Sequence, residues 1–476
     1  MAQSAWASRY HGLCTLMGKE TCRKVYGRLL SGQARNSVFG PREGTTDPGN
    51  WVFSPEWWGT QGRGWGRNSG ITVFERSSQM GNGLVSVTAH PASSSGLEDW
   101  PELSTLLQGK QVTSDSEWRV LRFNNETRQS VAKVVIVEGQ NSEESQLMQI
   151  PHCLAFEYLK SMISVGLSSI HCGGFDLDFV AKGERTMRCL CIGLGGGSLP
   201  IFLANKLQGC HVDVVEIDDT VISAAIDCMG FPKIEFKTFP SDLRSETLNA
   251  MCDESHMEVK LGVESLSHTQ CYDIPRRIAS SMLEFPLRIS GFEADAVMYV
   301  GHLAGAKQSQ QHYDLVFIDA FNGEDEVPVD FWTRGGSFLT GLRDLLDPHH
   351  GTVVVNLHTD LPPPSFLERI TGNFGPGYDP LLPGGKRLQE ISQAYRDKLL
   401  HCWSAGLSED EICGATFTVA VPRQQNICLV VCRGIRGTEG NIIDNLSSAA
   451  LSLENILHVP FPMSKRATRG FQLVHG

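Results

Sequence analysis

The chain has 476 residues, with 53 acidic against 41 basic side chains and a formal net charge of -12. That length supports a large core without disulfides or a structural metal, and the acidic balance excludes a general nucleic-acid or membrane-surface binder, which needs clustered Lys and Arg. The 14 cysteines include no CxxC pair and only Cys189 and Cys191 close together, so neither a zinc ribbon nor a thioredoxin-type site is expected, and no metal site is assigned.

The longest uncharged run near the centre, Cys189 to Asn205, is broken by glycines and Pro200 and falls short of the ~18 residues expected of a membrane span. The first 42 residues carry seven Lys or Arg against one acid, Glu20, which fits either a solvated tail of a cytoplasmic protein or an organellar transit segment for a chloroplast or mitochondrion. From Met1 to about Ser114 the sequence is rich in Gly, Ser and Trp and predicts an irregular region whose Trp51, Trp57, Trp58 and Trp65 dock on the main body.

Two β-rich runs, Trp118 to Phe123 and Val131 to Val137, flank a polar turn at Asn124, Asn125 and Glu126 and predict a hairpin. Apolar residues at helical spacing after Pro151 predict a helix over 152–170. Met187 to Gly193 is a continuous apolar run of the buried parallel-strand kind. It enters a turn of four glycines from which Ser198 is expected to cap a helix with Pro200 in its first turn. His211 to Asp218 is a second such strand, followed by a helix that starts near Asp219 and ends at Gly230. His312 to Phe321 and Gly351 to Leu357 are two more, separated by an amphipathic stretch over 338–348. This alternation predicts an α/β fold with an open, mostly parallel sheet and helices on both faces. Thr416 to Pro422 and Asn426 to Gly434 lie too close for a crossover helix and predict an antiparallel hairpin.

A strand, a glycine-rich turn and a helix in that order bring backbone amides close to a ligand. Gly193 and Gly195 match the first two glycines of the dinucleotide fingerprint, but its third glycine is replaced by Ser198, which disfavours a dehydrogenase. Glu216 stands 216 − 193 = 23 residues beyond the first glycine, the spacing at which a carboxylate accepts hydrogen bonds from ribose hydroxyls.

Taken together, "GLGGGSLP" (193–200), "VVEID" (214–218), "EADAVMYV" (293–300) and "YDLVFIDAF" (313–321) resemble the spermidine-synthase-like branch of the S-adenosylmethionine-dependent methyltransferases. Within that branch the sequence is most like the C-terminal domain of the eukaryotic elongation factor 1A lysine and N-terminal methyltransferase family, and "FEYLKSM" (156–162) and "PHHGTVVVNL" (348–357) fit the same pattern. The resemblance implies a Rossmann-like sheet of seven strands over 115–434, led by the hairpin at 117–139 and closed by the C-terminal hairpin. An irregular region precedes it and a tail over 435–476 follows.

It also implies S-adenosylmethionine as cofactor. Gly193, Gly195, Gly196 and Gly197 would lie along its amino-acid part, Glu216 at the ribose, Asp295 with Ala296 at the adenine, and Asp319 beside the sulfonium, with Ser198 and Ile217 also among the cofactor-binding residues. Asp319 and Asn322 are the expected catalytic pair, orienting an incoming amine, and Phe321 walls the pocket. Aminopropyltransferases carry acids where this chain has Ser198 and Asn322; those acids would repel the carboxylate of intact S-adenosylmethionine, so methyl transfer is favoured over polyamine synthesis. The implied acceptor is a protein amine, a lysine or an N-terminus, with a translation elongation factor as a possible partner and an acidic lip at 322–328 facing it. A polyamine synthase and a catalytically silent interaction module stay open as alternatives.

Between Glu216 and Asp295 lie 295 − 216 = 79 residues, where a helix and a strand need roughly 30. An insertion is expected at about 232–286. The third strand starts either near Leu287 or at Lys233 to Phe236, and His256 and His268 read as solvated rather than as metal ligands.

Overall fold

A computed structural model describes residues 70–92, 111–124, 127–138, 145–238, 288–305, 312–322, 326–359, 385–400, 414–422 and 424–474. The Trp cluster, most of the insertion with His256 and His268, and residues 323–325 of the acidic lip lie outside them.

Two sheets make up the described fold. The first is a five-stranded antiparallel meander of β1 (Ile71–Ser77), β2 (Leu84–Ala92), β3 (Gln111–Phe123), β4 (Thr127–Glu138) and β5 (Ser145–Leu154). The expected hairpin is its β3–β4 pair, with Val120 opposite Val131. Three strands go beyond the sequence expectation: β1 and β2 fall within the stretch read as irregular, and β5 takes residues assigned to the start of a helix. Leu154 pairs with Ala132 instead, so the helix α1 begins only at Glu157 and runs to Cys172. Pairing with β4 overrides the helical spacing of the few apolar residues after Pro151.

The second sheet begins after α2 (Leu177–Ala181) with β6 (Met187–Ile192), α3 (Ser198–Lys206), β7 (Cys210–Glu216), α4 (Asp219–Cys228), β8 (Phe236–Thr238), β9 (Ile289–Glu293) and α5 (Ala296–Gly305). It continues through β10 (Leu315–Ile318), α6 (Ser337–Leu345), β11 (Thr352–His358), α7 (Lys386–Leu399), β12 (Ala415–Ala420), β13 (Asn426–Cys432), α8 (Glu439–Leu457), α9 (Ser464–Ala467) and β14 (Gln472–Leu473). Its order is β14-β12-β13-β11-β10-β6-β7-β9-β8. Pairing is parallel from β11 to β8 and antiparallel among β11, β13, β12 and β14. The sheet has nine strands rather than seven, because β8 and β14 extend its two edges; the strand expected near Leu287 is β9, and of the alternative Lys233 to Phe236 only Phe236 is in a strand, β8.

Alternate residues of each central strand enter different cores. Cys189 and Cys191 face a layer with α1, α3 and α8, while Leu190 and Ile192 face one with α5, α6 and α7. Burial on both faces is why these strands read as unbroken apolar runs. Residues 435–474, the described part of the expected tail, are integral: Ile442, Leu446, Ala450 and Leu453 of α8 pack into the first core, and Arg466 of α9 donates to Glu157 Oε2 of α1 at 2.7 Å. The meander packs Val85, Val87, Leu121 and Val134 against Val221, Ala224 and Met229 on and just past α4. This brings the β3–β4 end over the carboxyl ends of the parallel strands.

Candidate functional site

A cavity of about 480 Å³ opens at the carboxyl ends of β6, β7, β9, β10 and β11, within the range of small-molecule sites. It lies where the chain order of the sheet reverses, with β7 and β9 leading one way from β6 and β10 and β11 the other. Ser198, Glu216, Ile217, Asp295, Ala296, Asp319 and Asn322 all line it, with Gly193 and Gly195.

The glycine turn has two jobs. Gly193 has φ +94° and crosses so close under Asp319 that a Cβ there would collide with that residue's carbonyl oxygen. Gly195, at φ +53°, lines the cavity, and its N–H has no acceptor among the described residues. Gly196 and Gly197 are packing positions instead. A Cβ on Gly196 would lie 2.6 Å from Met229 Cε, and one on Gly197 would run into the Phe231 ring. Gly197 is also the N-cap of α3 in a left-handed conformation, so Ser198 is the first helical residue and not the cap. Its hydroxyl donates to Gln149 Oε1 of β5 at 3.2 Å, and Gln149 Nε2 donates in turn to the Gly196 carbonyl.

Glu216 ties the turn to the next crossover. Its Oε2 accepts from Leu194 N at 2.9 Å, and its Oε1 accepts from Ile217 N at 3.0 Å and Asp218 N at 3.1 Å. Burial raises its pKa, and the three amide hydrogen bonds and nearby Asp218 modulate that shift. An ionised carboxylate offers about four lone-pair sites, so one remains for a ligand. Asp218 caps α4 through Thr220 N and accepts from Ser78 Oγ at 2.6 Å and Asn82 Nδ2 at 2.7 Å. The β1–β2 loop, with Met80 and Asn82 on the cavity wall, is thereby clasped to this corner. Asp295 Oδ1 accepts from Val297 N and Met298 N, so it serves as a helix cap while also lining the cavity.

Asp319 sits at the midpoint. Asn356 Nδ2 donates to its Oδ1 at 2.9 Å, and Asn426 Nδ2 donates to Asn356 Oδ1 at 3.0 Å. Burial raises the Asp319 pKa, opposed by the hydrogen bonds of Asn356 and Tyr158 and by His358. The Tyr158 phenol is pushed well above its ordinary range by burial and by the Asp319 carboxylate. Asn322 lines the cavity; it is exposed, and its Oδ1 accepts from Glu326 N at 3.0 Å, which ties its own loop. Glu326, the described acid of the lip, is ion-paired with Arg387. Phe321 does wall the cavity, stacked on His358 at 4.6 Å and 19°.

Residues not anticipated from the sequence add to the lining: Phe123, Arg128, Gln129 and Ser130 from the meander, Tyr158 from α1, Asn356 and His358 from β11, Gln424 from the β12–β13 turn and Asn426 from β13. All but Gln424 lie within a strand or helix, and no local motif marks them. Away from the cavity, Asp314, Asp347 and His350 have metal-like spacing, but the two ring nitrogens of His350 each meet a different carboxylate, at 2.7 and 3.0 Å. They form a side-chain staple centred on the His350 ring.

No family model matches the chain. A curated mouse protein, eEF1A lysine and N-terminal methyltransferase, is 42% identical over 48 residues, which span 10% of this chain and 7% of that protein's length. Among solved structures, human methyltransferase-like protein 13 in complex with SAH aligns with TM-score 0.38 and 18% identity, over 64% of this chain and 93% of that one. A probable spermidine synthase from Corynebacterium glutamicum aligns with TM-score 0.39 and 13% identity, over 80% and 87%. The resemblance to the elongation factor 1A lysine and N-terminal methyltransferase family read from the motifs recurs, over 48 residues, in the comparison with curated sequences.

Proposed function

We propose that the chain is an S-adenosylmethionine-dependent methyltransferase acting on a protein amine, a lysine side chain or an N-terminus. The observation that carries this reading is the convergence of the Gly193–Gly195 turn, Glu216, Ile217, Asp295, Ala296 and Asp319 on one cavity at the reversal point of the sheet. The residues fit the cofactor: the Gly195 N–H lacks an acceptor among the described residues, and Glu216 keeps one acceptor site.

When bound, the cofactor supplies a methyl group already activated by its sulfonium. The chain's own residues then bind, align and exclude water. Gly195 offers its amide to the amino-acid part, Glu216 accepts a ribose hydroxyl, and Ile217 with Asp295 and Ala296 flanks the base. Asp319 accepts an N–H of the incoming amine and holds its lone pair toward the methyl. Ser198, bonded to Gln149, and Asn322, tied to Glu326, put no carboxylate where an aminopropyl donor would need one, which supports methyl over aminopropyl transfer. The 48-residue similarity to a protein methyltransferase supports a protein acceptor, with a translation elongation factor as the first candidate.

Isothermal titration with S-adenosylmethionine, its decarboxylated form and NAD tests the cofactor. Selective binding of the first is expected, selective binding of the second would mean polyamine synthesis, and binding of none would leave a scaffold. Labelled-methyl transfer into cell extract then identifies the acceptor.

A further inference from the structure

Three side chains from neighbouring strands form a chain of hydrogen bonds on one side of the cavity. Asn356 Nδ2 of β11 donates at 2.9 Å to Asp319 Oδ1, just past β10, and Asn426 Nδ2, at the start of β13, donates at 3.0 Å to Asn356 Oδ1. All three residues line the cavity. The direction of the chain is imposed by chemistry. An ionised carboxylate only accepts, so Asn356 turns its NH₂ to Asp319 and its oxygen away; that oxygen then needs a donor, which Asn426 supplies. Asn356 is 2% exposed, so bulk water does not stand in for Asn426.

The same bond opposes the reverse arrangement. A protonated Asp319 would offer its O–H to an Asn356 amide turned end for end, but with Asn426 in place that turn sets two NH₂ groups against each other. Resting on the methyltransferase reading above, we infer that Asn426 is a positioning residue for methyl transfer: by orienting the Asn356 amide it keeps Asp319 an acceptor for the N–H of the incoming amine. Asn426 stands directly opposite His358 at the end of the β11–β13 pairing and is only half-buried. The titratable groups around Asp319 act differently. Tyr158 of α1 donates to the carboxyl, and His358 of β11 acts on it by charge. Burial pushes up the thiols of Cys191 on β6 and Cys428 on β13, and the Asp319 charge raises both further. These groups set the charge around Asp319, whereas Asn426 sets the direction of the amide.

The test follows the infrared carbonyl band of the protonated Asp319 carboxyl against pH in the full chain, identified as the band lost in Asp319→Asn. Asn426→Ala is expected to raise its titration midpoint by about one to two pH units, the worth of one hydrogen bond in a charged network. S-adenosylhomocysteine affinity by calorimetry should change less than about twofold, which shows that the variant is folded. In an Asn356→Ala background the same substitution should no longer move the midpoint, since the amide it orients is gone. Should the alanine variant not fold, Asn426→Val repeats the measurement with a side chain suited to a strand. A midpoint unmoved by the substitution overturns the assignment and leaves the methyltransferase reading standing. A shift that survives undiminished in the Asn356→Ala background, or a loss of S-adenosylhomocysteine binding in a folded Asn426 variant, also overturns it, because Asn426 then acts on Asp319 or on the cofactor directly. Failure of the wild-type chain to bind S-adenosylhomocysteine would overturn the methyltransferase reading itself, and the role of Asn426 in methyl transfer with it.

Discussion

Asp319→Asn is expected to abolish turnover while stabilising the fold. The Asp319 carboxyl is walled by Tyr158, Asn356 and His358, and burial outweighs their help, so its folded-state pKa lies above the ordinary 3.8. For a group raised in this direction, the contribution to stability is fully present below the unfolded value and is lost as the pH rises through the folded one; at neutral pH the ionised form weighs against the fold. Asparagine has the same outline and keeps an oxygen for Asn356 Nδ2, now 2.9 Å from Oδ1, but carries no charge. Relieving one such functional group stabilises by about 0.5–2 kcal/mol. Loss of the carboxylate that takes the amine's proton should lower methyl transfer by about 10²–10⁴-fold. Urea unfolding of both chains at neutral pH and near pH 4, together with a labelled-methyl assay, reads both effects. The stability gain should shrink at the lower pH, because the raised folded-state pKa favours proton uptake by the wild-type carboxyl as the pH falls. A less stable variant at neutral pH, a gain independent of pH, or turnover within about threefold of wild type would refute the reasoning.

Asn356→Ala removes a donor that lowers the Asp319 pKa, so the acidic limb of the pH–rate profile should move to higher pH; a shift to lower pH would contradict the assigned hydrogen bond. Gly193→Ala forces a side chain onto φ +94° and into the Asp319 carbonyl, costing at least about 1–2 kcal/mol and lowering S-adenosylhomocysteine affinity by calorimetry, whereas unaltered binding would show that the turn yields freely. Glu216→Gln sets an amide NH₂ against one of three backbone N–H donors, and urea unfolding should show a loss of about 1–3 kcal/mol. Arg466→Met strips Glu157, only 11% exposed, of its stronger partner and leaves Lys160 Nζ at 3.5 Å. A drop of about 3 kcal/mol in unfolding free energy is expected, and one below about 1 would mean that water already screens the pair.

Much of the second sheet was legible because its strands are buried on both faces. Met187 to Ile192 and Leu315 to Ile318 are apolar at every position but Arg188, and only a central parallel strand needs that. The Asp218 cap and Gly230, at φ +72°, likewise bound α4 by local chemistry. The meander was legible only in part. β1 carries Thr, Glu, Arg and Ser and is mostly exposed, so hydrophobic patterning could not mark a strand held by pairing with β2. Ser198 looked like a cap, yet Gly197 takes that place because the turn needs a left-handed residue there. Asn322 reaches the cavity wall, and its oxygen also closes a loop that no local pattern marks.

Sequence alone determined which residues could gather at the ends of β6, β7, β9 and β10, because glycine spacing and strand-end acids are local features that follow from the reach of the backbone. Tertiary structure alone decided what faces them. Tyr158, Asn356 and Asn426 come from segments separated by up to hundreds of residues, and no local pattern records that a distant amide will donate to a buried carboxylate. The hydrogen-bond ledger of a cavity is closed only when strands β10, β11 and β13 lie side by side, and that adjacency is a product of sheet order rather than of chain order.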